Sequence, residues 1–130
     1  MDIEHPERTD FREETQKQFS TEIEAFLTLE NNKVVPINQP IFNIGRRIEN
    51  NLALNDPRVS RIHAQLRPIN GVYVLFDLGS TGGTFINGRQ IEQSIIYSGD
   101  VISLAGVTLV FRQKVPAPRP DLKETDKLPK

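Results

Sequence analysis

Three short stretches hold the residues whose types suit the chemistry of anions: "IGRR" at 44–47, "VSRIHA" at 59–64 and "GSTGGTFING" at 79–88. Arg46, Arg47, Arg58, Arg61 and Arg67 fall in one short span, offset only by Glu49 and Asp56. A guanidinium presents a planar fork of donors that fits phosphate or carboxylate, so an arginine cluster points to an anion site more strongly than a lysine cluster does. The competing account is a solvated strand face with Arg46 and Arg61 in surface ion pairs to Glu49 and Asp56. The third stretch sharpens the choice. "DLGSTGGTFING" spends four glycines and several hydroxyls between two runs that read as strand, where a tight hairpin needs two turn residues. Gly82 and Gly83 would let this loop curl and turn its backbone N–H groups and Thr81 toward an approaching group. Arginines, the Ser60 and Thr81 hydroxyls and free amides together are the inventory of a phosphate site.

Other chemistries lack their parts. A Walker-type loop needs a Lys and a Ser or Thr after its last glycine, and the glycine loop offers neither these nor a following helix. The dinucleotide fingerprint fails on spacing and on its strand-to-helix setting. The chain has no cysteine, and its histidines are His5 and His63. This leaves no thiolate nucleophile, no base pair for a serine hydrolase and no metal set, so no cofactor or metal is expected. His63, alternating with Arg61 at a strand start, reads as a structural residue that bonds backbone groups. Asp56, Asp77 and Asp100 each sit where a turn would use a carboxylate cap. The sequence therefore reads as a binding protein and not as an enzyme.

The elements that must position these residues are short strands. "EAFLTLE", "KVVPI", "PIFNIGR", "RIHAQLRP", "VYVLFDL", "TFI", "VISLAG" and "VTLVFRQ" are β-rich runs separated by "NN", "NQP", "NDP", "PING", "NG" and "SGD". Many short strands without a long amphipathic helix between them predict an all-β fold, an antiparallel β-sandwich, whose loops cluster at its ends. Three parts follow: a polar N-terminal arm over 1–21, a sandwich domain over 22–113 and a proline-rich charged tail over 114–130, expected to be disordered or extended. The arm is acidic, and Phe11, Thr15 and Phe19 at helical spacing allow a short helix there. At 130 residues, 37% hydrophobic and 25% charged, the chain is expected to be one soluble domain. The absence of cysteine, of a signal peptide and of a long apolar run suggests a cytoplasmic protein. A net charge of −1 argues against nucleic acid or membrane as partner.

Taken in order, "IGRR", "NLAL", "VSRIHA", "YVLFDLGSTGGTFING", "SGDVISLAG" and "LVF" resemble the forkhead-associated (FHA) domain over about residues 23–113. The resemblance implies a β-sandwich that binds phosphothreonine peptides through loops at one end. It implies that Arg46 orients the peptide near the phosphate, that Ser60 and Arg61 contact the phosphate, and that Thr81 bonds from the other side. Gly45, His63, Gly83, Thr84 and Asn87 would hold the loops in shape, and Asn51 matches an asparagine that the family often carries. The chain departs from the family pattern at Gly82, where an asparagine usually reaches the peptide backbone. Losing that bond would weaken peptide binding by about 1 kcal/mol. The implied function is that of a signalling adaptor downstream of a Ser/Thr kinase, with selectivity set by loops around Arg47, Arg58 and Asn70. The alternative is a phosphate-independent interaction or scaffold domain with a degenerate site. The bound threonine could also belong to the chain itself, at Thr9, Thr15, Thr21 or Thr125.

Overall fold

The structure, a computed structural model, describes residues 24–119. The acidic arm with its proposed helix, the threonines Thr9, Thr15, Thr21 and Thr125, and the end of the proline-rich segment lie outside the described residues. The strands are β1 (Ala25–Leu29), β2 (Val34–Pro36), β3 (Phe42–Gly45), β4 (Leu52–Ala53), β5 (Ala64–Ile69), β6 (Val72–Asp77), β7 (Thr84–Ile86), β8 (Arg89–Ile91), β9 (Gln93–Ile96), β10 (Val101–Leu104) and β11 (Val107–Gln113).

They form two layers. One sheet has the order β2-β1-β11-β10-β7-β8 and the other β4-β3-β5-β6-β9. Alternation of apolar and polar residues decides which face each strand buries. In β6, Tyr73 and Leu75 point inward while Val72, Val74 and Phe76 stay half-exposed. In β11, Leu109 and Phe111 are fully buried. The two layers meet through such residues, with the Tyr73 and Phe111 rings 5.4 Å apart between centroids and tilted. Each fully buried side chain of this size contributes about 1.5–3 kcal/mol, so the core formed by Leu27, Phe42, Ile44, Leu66, Ile102 and their neighbours holds the sheets together.

The antiparallel pattern has one exception. The register Ile44↔Leu52 makes β3 and β4 a parallel pair, because the chain crosses from the end of β3 to lie again beside it. Three hairpins close with two residues each, Asn70-Gly71, Asn87-Gly88 and Ala105-Gly106, and all six residues have positive φ. That is the primed-turn geometry matching strand twist, which favours Asn-Gly and not a residue such as Ala105. The strand directions bring the end of β3, the start of β5, the end of β6, the start of β7 and the β10–β11 hairpin to one end of the sandwich.

Candidate functional site

The loop between β6 and β7 is built on Asp77. Its Oδ1 accepts from the Ser80 hydroxyl at 2.5 Å and the Thr84 hydroxyl at 2.6 Å, while its Oδ2 accepts from the amides of Gly79 and Ser80 at 3.1 and 3.2 Å. Ser80 Oγ then accepts from the Gly83 amide at 3.0 Å. Burial pushes the Asp77 carboxyl up, but the bonds from Ser80, Thr84 and Gly79 outweigh it, and the group titrates below its ordinary value of 3.8. A carboxyl depressed in the folded state stabilises the fold above its unfolded value and loses that contribution as pH falls through the folded one. Asp77→Asn is therefore expected to lower Tm near neutral pH and to flatten the fall of Tm between about pH 5 and 3. Parallel thermal unfolding curves of variant and wild type check this; an unchanged acid limb would refute it.

His63 joins this loop to the next. The ring is fully buried. Its Nδ1 accepts from the Ser60 amide at 3.0 Å and its Nε2 lies 2.9 Å from the Gly83 carbonyl oxygen. With Nδ1 accepting, the ring hydrogen on Nε2 donates to that carbonyl. Ser60 completes the clip, its Oγ accepting from the Thr81 amide at 3.0 Å. The Ser60 hydroxyl hydrogen remains available to a ligand.

The third loop is fastened by backbone and by Asn50. The Arg46 amide donates to the Ser60 carbonyl at 2.9 Å, and the Arg47 amide to the Arg61 carbonyl at 3.2 Å. Asn50 Nδ2 donates to the carbonyls of Arg47 and Arg61 at 2.8 and 2.9 Å. Gly45 makes this approach feasible, since a Cβ there would lie 2.3 Å from the Arg61 carbonyl oxygen. Asn50 and Ala105 carry no motif signal in the sequence, while Asn51, the asparagine that the resemblance matches, accepts through its Oδ1 from the Asn43 amide at 2.7 Å.

The arginine cluster sorts into two groups. Arg58 is clamped to Asp56 through Nε and Nη2, both at 2.9 Å, and its side-chain hydrogen bonds hold the half-buried Asp56 carboxyl down to about 2. Arg67 lies over the Phe76 ring, 4.6 Å from its centroid, on the outer face of the five-stranded sheet. The exposed Arg46, Arg47 and Arg61 hold no carboxylate among the described residues. These three line one open groove of about 520 Å³ with Ser60, Ile62, Gly79 and Thr81. Arg46 is further fixed by its Nε, which donates to the Val59 carbonyl at 2.9 Å.

Comparison with known proteins bears directly on this arrangement. The sequence profile of the FHA domain matches residues 42–105. An FHA domain solved in a study of phosphothreonine-dependent FHA domain interactions superimposes with a TM-score of 0.65 at 30% identity, over 68% of this chain and 95% of that one. The chain belongs to the FHA family. The FHA domain of FhaA, solved in complex with the intracellular domain of Rv3910, gives a TM-score of 0.64 at 30% identity over 68% of this chain and 99% of that one. Among curated relatives, the glycogen accumulation regulator GarA of Mycolicibacterium smegmatis is 32% identical over 75 residues, 58% of this chain and 48% of that protein. The oxoglutarate dehydrogenase inhibitor of Corynebacterium glutamicum is 35% identical over 75 residues, 58% of this chain and 52% of that protein. The chain thus spans about half the length of these relatives.

Within this FHA domain, Arg46, Ser60, Arg61, Thr81 and Gly82 lie on adjoining loops at one end of the sandwich, supported by Gly45, His63, Gly83 and Thr84. Three expectations are corrected. Gly83 has a φ of 88°, but Gly82 does not have positive φ, so conformational freedom is not what requires glycine at 82. Asn87 supports the opposite end of β7, where its Nδ2 donates to Asp100 Oδ1 at 2.9 Å and its Oδ1 accepts from the Val101 amide. Asn70 also lies at the opposite end, because β5 carries the chain six residues away from His63 before the turn. No helix among the described residues is long and apolar enough to cross a membrane.

Proposed function

We propose that this FHA domain is a phosphothreonine-dependent peptide-binding module, an adaptor that engages a partner once a Ser/Thr kinase has modified it. The observation that carries this reading is the single groove where Arg46, Arg47 and Arg61, without carboxylate partners among the described residues, stand beside the Ser60 and Thr81 hydroxyls. A phosphorylated threonine brings nearly two negative charges and three strong acceptor oxygens, whereas the free hydroxyl brings neither. In this reading Arg46, Ser60 and Arg61 bond the phosphate and Thr81 closes over it from the facing loop. Phosphorylation is the switch, and the domain performs no covalent chemistry.

The partner can be another protein or the chain's own arm, and geometry restricts the second case. Ala25 pairs with Gln113, at the far end of the seven-residue β11 whose start adjoins the groove. The arm therefore has to span about 20 Å along the domain. Thr21 precedes Ala25 by four residues, a reach of at most about 14 Å, while Thr15 has about 35 Å and Thr9 more. Capture in cis is therefore favoured for Thr9 and Thr15 over Thr21, whose backbone falls short of the groove.

Calorimetric titration with a degenerate phosphothreonine peptide pool, beside its unphosphorylated and phosphoserine counterparts, tests the function. Binding confined to the phosphothreonine pool is expected; a folded protein that binds none of them would leave the phosphate-independent scaffold as the better reading. In the same titration, chain phosphorylated on Thr9 or Thr15 is expected to resist added peptide, and chain phosphorylated only on Thr21 to bind it normally.

A further inference from the structure

We infer that Ala105 is a specificity-determining residue of the phosphopeptide groove, because its methyl group occupies the space that a side chain at position 82 would need. The binding half of this inference rests on the phosphothreonine reading; its steric half does not. A Cβ built on Gly82 would lie 2.5 Å from Ala105 Cβ and 3.3 Å from Ala105 Cα, closer than packed carbons approach. The Gly82 backbone lacks positive φ, so space and not conformation requires glycine there.

Ala105 is the odder half of the pair. It has a φ of 54° at the hairpin position where the other two-residue turns place Asn70 and Asn87, and alanine is disfavoured in that region. Nor is the hairpin free to swing aside. The Ala105 amide donates to the Gly83 carbonyl at 3.1 Å, and the Gly106 amide to Ser103 Oγ at 3.1 Å. A glycine the backbone does not need thus faces an alanine the backbone does not favour, and the alanine methyl fills the space that a side chain at 82 would take. Together with Pro57 and Phe85 the Ala105 methyl walls a groove that shares Arg46, Ser60 and Thr81 with the anion site. A peptide leaving the phosphate on this side meets the Ala105 methyl, in a groove that Arg58 also lines, where the family pattern has an asparagine amide. Selection here acts by shape, not by a bond to the peptide backbone.

A cycle of Gly82→Asn, Ala105→Gly and the double variant tests the couple through Tm and through calorimetric affinity for a phosphothreonine peptide that binds wild type. Gly82→Asn alone is expected to lower Tm by about 5 °C through overpacking and to weaken binding about tenfold. Ala105→Gly alone should leave Tm undiminished and, with the methyl wall gone, weaken binding about threefold. The double variant should regain the wild-type Tm and bind about tenfold more tightly than Gly82→Asn. Gly82→Ala, which carries the same Cβ, replaces the asparagine variant in the cycle if that protein does not fold. A double variant no better than the sum of its single effects would overturn the inference. If wild type binds no phosphopeptide, the phosphothreonine reading fails while the Tm cycle still decides the steric couple.

Discussion

Arg46→Ala is expected to weaken phosphothreonine-peptide binding by about a hundredfold or more with the sandwich intact. Hydrogen bonds to a charged group contribute about 1.5–3 kcal/mol each, and about 2.7 kcal/mol corresponds to a hundredfold. Arg46 pairs with no carboxylate among the described residues and borders both the anion groove and the neighbouring Ala105 groove. Its one internal side-chain bond, from Nε to the Val59 carbonyl, is made by an exposed residue, so its loss should cost stability only about 1 kcal/mol. Arg46→Lys separates charge from geometry: a lysine keeps the charge but not the fork, and should recover only part of the affinity. Ser60→Ala should act in the same direction by a different route. It removes a donor to the phosphate and the acceptor of the Thr81 amide, so the facing loop loosens as well. Calorimetry on the folded variants, checked by circular dichroism, reads both effects. Affinity within about threefold of wild type for Arg46→Ala would remove Arg46 from the site.

How much of the fold and of the candidate site was legible in the sequence follows from what each signal depends on. The strands found from sequence, such as "VYVLFDL" and "VTLVFRQ", announce themselves because both layers bury alternate residues across a full-width core. The strands not marked are those with too little apolar surface to show a period. β4 is two residues long, β8 is "RQI" with two exposed positions, and β9 follows it after the single residue Glu92 while changing sheets. The "NG" at 87–88 could have revealed β8, since a two-residue primed turn needs a strand on either side. At the site, Arg46, Ser60, Arg61 and Thr81 were legible as residue types in separate loops, and only the topology sets those loops side by side. Gly82 was legible as a departure but not as a necessity. Its reason, the Ala105 methyl, stands 23 positions away in sequence and leaves no local signal. The arginine count misled in the opposite direction, because composition cannot tell Arg58 clamped by Asp56 or Arg67 laid on Phe76 from the three that pair with no carboxylate among the described residues.

The largest loss of stability is expected from a residue that meets no ligand at all. His63→Ala removes a fully buried ring that satisfies two backbone groups on two different loops, the Ser60 amide and the Gly83 carbonyl. The Ser60 amide left unpaired costs about 1–3 kcal/mol, the Gly83 carbonyl keeps only the Ala105 amide, and the vacated ring volume adds a cavity term, for a total of about 3–5 kcal/mol. In a domain of this size that corresponds to a fall in Tm of about 15 °C or more. Binding should suffer even in the folded fraction at low temperature. Ser60 hangs from the His63 ring and the Thr81 amide hangs from Ser60, so the chain of bonds that aligns the two facing loops starts at this side chain. Arg46→Ala and His63→Ala therefore separate the two kinds of work in the site: the first should weaken affinity about a hundredfold for a fall in Tm of only about 5 °C, and the second should lower both strongly together. A His63→Ala protein that melted within a few degrees of wild type would show that the loops are held by their backbone bonds alone, and the His63 bridge would lose its place as the pivot of the site.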